Sequence, residues 1–298
     1  MHESSNGLLV TVNGRNDTLE SSSQSQDVED LPLETQLRAI LSGTEGVFEF
    51  AREHVVPVVR DQLSKNKYES VFSATYYRMC LWFEAIVVLK DPRHFQLAQS
   101  ASRSLFELLI DVKLLIRDPT AVEQVNAFTR VERFRRAHRL NTFLNEHPSV
   151  DKSGYSAEIK HATDPATRVE IDSLREQHWG RDSKNKLIWP KHWSGKDAAR
   201  RAADLGLEFE ERYISDYSFQ SWYTHPGLAG IAGLSGGDLT KAFAIAHLVS
   251  QRSFSRATEA VASEFRLFDA IPGLRDKLRL ASVETVKAAC EALMARKD

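Results

Sequence analysis

The chain is expected to fold as an all-α antiparallel bundle of about eight to ten helices with a disordered N-terminal tail, and three features of its sequence lead there. Apolar residues recur at three- and four-residue spacing over long stretches, Asp-Pro junctions and similar cap signals separate those stretches, and no alternating run of useful strand length occurs. Of its 298 residues, 42% are hydrophobic and 27% charged, the ordinary balance of a soluble globular protein.

From Met1 to about Asp30 the sequence is dominated by Ser, Asn, Gln, Asp and Glu. Such a segment buries too little to offset its ordering entropy, so residues 1–30 are expected to form a disordered tail. Leu8 to Val12 is its one strand-like stretch. Residues 31–298 are then expected to form a single helical domain. The first helix carries Leu33, Leu37, Ile40, Leu41, Val47, Phe48 and Val55 and is interrupted or kinked near Pro57. A second, about Tyr68 to Lys90, places Phe72, Tyr76, Met79, Phe83 and Val87 in register and ends at Asp91-Pro92.

The stretch from Pro92 to Arg117 is the most apolar and is expected at the centre of the core. Asp118-Pro119 starts the next helix, which runs to about Glu146. Lys152 to Arg181 reads as short helices, and Leu187 to Gly195, with Trp189, His192 and Trp193 around Pro190, reads as an ordered loop. Ser194 is expected to cap a helix from about Lys196. Glu208 to His225 reads as one helix, followed by a glycine-rich connection, a long helix from about Asp238 to Asp269, and a last helix to about Arg296.

Lysine and arginine number 39 against 41 acidic residues, a formal net charge of −2 with a sequence pI near 6.6. The whole chain is therefore no nucleic-acid polycation, although a local patch can still attract phosphate. The two cysteines, Cys80 and Cys290, lie in separate apolar stretches, which argues against a disulfide framework. Met1 to Glu20 lacks the pattern of a signal segment, and no run reaches the roughly eighteen apolar residues of a membrane span. A cytoplasmic address without membrane contact is the expectation.

Two polar stripes could carry chemistry. Ser100, Arg103, Glu107 and Asp111 follow one another at three- and four-residue intervals on the central helix, where Arg103 would hold an anion and Glu107 would orient it or act as base. Ile214, Tyr217, Ser218, Ser221 and His225 form the second, with His225 one turn after Ser221. No Gly-x-Ser-x-Gly elbow surrounds either serine. The densest basic run, Arg130 to Arg139, holds Arg133, Arg136 and His138 and suits a phosphate backbone or a hydrated helix face. The histidines lack metal-ligand spacing and the glycines follow no strand, so neither metal nor nucleotide cofactor is expected.

Arg103 to Glu107 in an apolar helix, His192-Trp193-Ser194-Gly195 before a helix, then Tyr213, Tyr217, Ser218, Ser221 and His225 together resemble DUF5677, a bacterial domain family of unknown function, over about residues 68–255. That resemblance implies an all-helical domain and no established activity. A looser similarity is to HEPN-type helical proteins, many of them metal-independent ribonucleases of toxin and defence systems with an Arg-x4–6-His motif. It falls on Arg133 and His138, or on His225 with Ser221 standing where the arginine belongs, in which case Arg103 would supply the missing charge.

Three functions follow as expectations. The leading one brings Arg103, Glu107, Ser221 and His225 into one catalytic anion site, with Arg133, Arg136, His138, His192, Trp193 and Tyr217 as substrate-binding residues and RNA phosphate as ligand. The second is a non-enzymatic interaction or scaffold protein, such as a helical homodimer, in which the same residues form a structural hydrogen-bond network. The third is a small-molecule enzyme with a sizeable pocket beside Trp193.

Overall fold

A computed structural model describes residues 33–224 and 236–281. Among them there are helices and no β-strands, apart from one isolated antiparallel bridge between Arg181 and Leu187. The expected tail, His225, Gly230, Gly233, Cys290 and the end of the last expected helix lie outside the described residues.

Helix α1 spans Leu33–His54, and α2, Val56–Gln62, carries Pro57 in its first turn, so the interruption expected there is a break between two helices. Next come α3, Lys67–Val88, α4, Phe95–Arg117, and α5, Val122–Glu146. Their starts follow from short polar side chains. Asn66 caps α3 by accepting from the Glu69 N–H at 2.9 Å, whereas Asp91 and Asp118 accept from the Arg93 and Thr120 N–H groups, at 2.9 and 3.0 Å, and so cap the single 3-10 turns, Pro92–His94 and Pro119–Ala121, that lead into α4 and α5. Such caps contribute about 1 kcal/mol each.

The expected centre is at the centre. Along α4, Leu105, Phe106, Leu109, Ile110 and Val112 are fully buried. They pack against α3 and against α11, Gly236–Glu264, while α1 closes a further side of α11. Phe254 of α11 stacks on Phe83 of α3 with centroids 4.1 Å apart and lies parallel to Tyr76 at 5.8 Å. Each such ring contributes roughly 1.5 to 3 kcal/mol by leaving water. A separate small cluster of Val131, Phe134 and Ile171 joins α5 to α7, Pro165–Trp179, beyond the short α6, Ser156–Thr163.

Three expectations change. The helix after the Trp-rich loop, α8 (Ala198–Leu205), is capped by Asp197, which accepts from the Arg200 N–H at 2.9 Å, because Ser194 is engaged by a histidine ring instead. The segment read as one helix from Glu208 is α9, Leu207–Arg212, then a π turn, Tyr213–Tyr217, then α10, Ser218–Thr224. The extra residue of the π turn rotates the two parts, so Ile214 is exposed and Tyr217 buried where a single face was expected. The long helix α11 stops at Glu264, because Arg266 adopts a left-handed backbone with φ 54°; two short helices follow, α12, Leu267–Ala270, and α13, Leu274–Arg279.

His247 on α11 is fully buried, with Nδ1 3.5 Å from the Thr44 hydroxyl, which itself donates to the Ile40 carbonyl at 2.8 Å. Burial first, and then the charge of Lys90, pushes its pKa down to about 3. The unfolded chain takes up this proton near pH 6.5. Between the two values the unfolded state therefore binds more protons, so the stability held above pH 6.5 is lost with acid by roughly 1 kcal/mol per unit. Urea unfolding at pH 7, 5.5 and 4.5 checks this: His247→Leu should flatten the acid slope relative to wild type, and an unchanged slope would assign the loss to other groups.

Candidate functional site

Arg201 organises the polar residues. It sits on α8 at 3% exposure and meets two carboxylates of α4, donating to Asp111 Oδ1 at 2.8 Å and to Glu107 Oε2 at 3.1 Å. The two acids are four residues apart on one helix, so they stand one turn above each other and fit the two ends of the guanidinium fork. The other Glu107 oxygen accepts the Tyr217 hydroxyl at 2.7 Å and lies 3.5 Å from Arg103 Nε. The Arg103 guanidinium also covers the Tyr217 ring at 4.7 Å, and Tyr213 stacks on the same ring at 4.9 Å. Burial first, and then the Glu107 carboxylate, raises the Tyr217 phenol above its ordinary pKa, so it remains a donor.

His192 completes the group. Its Nε2 lies 3.2 and 3.3 Å from the two Asp111 oxygens. Its Nδ1 accepts the Ser194 backbone N–H at 3.2 Å and stands 2.9 Å from the Ser194 hydroxyl. An accepting Nδ1 leaves the ring proton on Nε2, which makes His192 the donor to Asp111. The loop holding the ring is tied down by Trp179, whose Nε1 donates to the Trp193 carbonyl at 2.9 Å. Gly195 turns the chain at φ +72°, and a Cβ there would stand 3.0 Å from Trp179.

Glu107, Asp111 and His192 open onto a cleft of 490 Å3 between α3, α4, α5 and the loop. Trp82, Phe128 and Trp193 form aromatic walls, and Arg78, Asn126 and Thr129 add polar groups. Acidic and imidazole groups of this kind often hold a cation; here the Arg201 guanidinium bonds to both acids, and no cluster suited to a metal occurs among the described residues.

The sequence-predicted residues divide as follows. Arg103, Glu107, Tyr217 and His192 belong to one network, and Trp193 lines the same cleft. Ser221 is half-buried on α10, and its expected partner His225 lies outside the described residues. Arg133 and Arg136 line a separate hollow of 180 Å3 beside His161, whereas His138 lines a third depression and stacks on Phe134 at 6.0 Å. Arg133 and His138 thus border different hollows. Sequence reading missed Arg201 and the partnership of Asp111 with His192. The one available signal was that Arg200 and Arg201 follow a capping Asp197, which puts one of the two on the inner face of a short helix.

A model of the family described as "Family of unknown function (DUF5677)" matches residues 69–239. No curated protein and no solved structure matches the chain. Among the described residues no helix is long and apolar enough to cross a membrane.

Arg201→Met should destabilise the fold by about 2 kcal/mol or more, short of the loss at a fully buried pair because Glu107 keeps 33% of its side chain exposed. Tyr217→Phe should cost about 1 kcal/mol, and Gly195→Ala about 1 to 2 kcal/mol through its left-handed backbone. Chemical denaturation measures all three. Unchanged stability in Arg201→Met would mean the guanidinium does not hold α8 to α4.

Proposed function

The chain belongs to the DUF5677 family of unknown function, and we propose that it binds a small, hydrogen-bond-donating, ring-containing molecule in the cleft beside Trp193, where Asp111, oriented by His192, exchanges a proton with it. One observation carries this reading: two carboxylates and an imidazole face a cleft of 490 Å3 whose other walls are Trp82, Phe128 and Trp193. Its volume lies in the range of small-molecule sites, which pair apolar walls with a few polar groups.

The polarity of the cleft favours a donor over an anion. Glu107 and Asp111 line it, the two arginines that balance them are engaged in holding them, and the one further cation of the lining, Arg78, is an exposed residue of α3. A phosphate entering beside Asp111 would meet acceptors and lose its own hydration, a net cost. An amine, amide or hydroxyl would instead find Asp111 charged, oriented and partly withdrawn from water. The Nε2–H of His192 already donates to Asp111, so the imidazole orients the carboxylate, and Asp111 itself takes the ligand's proton and returns it. This reading takes the place of an anion site built on Arg103.

A purely structural role is favoured by one fact, that every charge in the network has a partner. Thermal-shift measurements with nucleosides and aromatic amines separate the two. Ligands that raise the wild-type melting temperature should lose the effect in Ala74→Trp, which fills the exposed α3 side of the cleft, and bind at least tenfold more weakly to Asp111→Asn. His192→Gln should retain binding and slow any conversion of the bound compound. Equal shifts in wild type and Ala74→Trp, or no shift with any such compound, would leave the structural role.

A further inference from the structure

A basic groove of 820 Å3 is bordered by α5, α7 and the loop 181–189. It shares no residue with the cleft. Arg135, Arg139, Arg168, Arg175, Arg181 and Lys186 line it against two carboxylates, Asp172 and Asp182. In a chain of net charge −2 this is a local concentration of positive charge, and a groove focuses such a field.

Half of these cations build the groove and the others are free to act. Arg175 donates to the Leu187 and Ile188 carbonyls and pairs with Asp172. Arg135 pairs with Glu132 and donates to the Pro190 carbonyl, and Arg181 pairs with Glu176. Arg139, Arg168 and Lys186 are exposed and have no carboxylate partner among the described residues. Asp182 fixes the loop tip, its Oδ1 accepting the Lys184 and Lys186 backbone N–H groups at 2.9 Å each. Its negative charge is thereby directed at its own turn.

Aromatic rings accompany the charge. Trp189 lines the groove at 38% exposure, with the Arg175 guanidinium 3.7 Å from its ring centre. Trp189, Phe134 and His138 form a ladder of nearly parallel rings, tilted by 6° and 4° at successive spacings of 6.4 and 6.0 Å. The two outer rings, Trp189 and His138, reach the groove. Cations alone would suit any acidic polymer. Flat exposed rings set among them add the one feature that nucleobases use and acidic peptides do not.

We propose that this groove binds single-stranded nucleic acid, with phosphates at Arg139, Arg168 and Lys186 and a base packed against the exposed part of Trp189. The claim is independent of the cleft, since no residue is shared. Fluorescence anisotropy of labelled oligouridine and oligothymidine of about twelve nucleotides, within the span of single-strand sites, tests it on the full chain. Three phosphate contacts predict a roughly 20-fold loss of affinity between about 50 and 200 mM salt. Arg139→Gln with Arg168→Gln, both on the surface and safe for folding, should remove most of the binding, and Trp189→Phe should bind more tightly than Trp189→Ala by several-fold. Preference for the ribose or the deoxyribose strand identifies the natural ligand, and either supports the groove. Absence of binding at 50 mM salt, an unaffected double variant, or equal binding of poly-glutamate or of a duplex of the same length would overturn the proposal.

Discussion

A guanidinium withdrawn from water is costly unless anions and acceptors come with it, and Arg201 is withdrawn almost completely. It stands on an eight-residue helix, too short to be held by its own apolar surface or its own propensity. Its position is therefore set by where its anions are. Glu107 and Asp111 are one turn apart on α4, which runs through the centre of the core, so the fork has one place to dock. Once it docks, the segment between Trp179 and Leu205 is pinned to the core, and His192 is delivered to the remaining face of Asp111.

The same logic explains why α5 is hard to read as an amphipathic helix. Its first half turns Val125 and Phe128 toward α3, α4 and the cleft, whereas its second half turns Val131 and Phe134 toward α7. Two different partners lie on two different sides, so the apolar residues do not keep one stripe over 25 residues. Arginines fill the sides that neither partner covers. Their stems shield the small α5–α7 cluster while their charged ends stay in water, and that is how the basic groove arises beside a core of only three buried residues.

Much of this was legible in the sequence because it is local. Asp-Pro junctions, the run Leu105 to Ile116 and the Arg103 to Asp111 stripe rest on neighbours a few residues away, and α3, α4 and α5 begin and end within about three residues of their expected bounds. The π turn was not legible, since Tyr213 to Tyr217 carries no residue that ordinary helix excludes. Nor was Arg201, because its role depends on carboxylates 90 and 94 residues away. Ser194 shows the competition directly. Its hydroxyl suits a helix cap, but a histidine two residues earlier takes it and the cap passes to Asp197.

One loop then serves both surfaces. Its first part, Arg181 to Trp189, walls the basic groove, and its last part, His192 and Trp193, walls the cleft. Between them Pro190 is buried and its carbonyl accepts from Arg135. Arg175 holds the carbonyls of Leu187 and Ile188, and Trp179 holds that of Trp193. A loop of this length would ordinarily sample many conformations. Here its backbone carbonyls are taken up, one after another, by side chains of α5 and α7, so the rigidity that a preorganised site needs comes from helices that contribute few groups to the chemistry. The long polar side chains of these two helices, weakly patterned when read along the sequence, are what gives the loop a single shape.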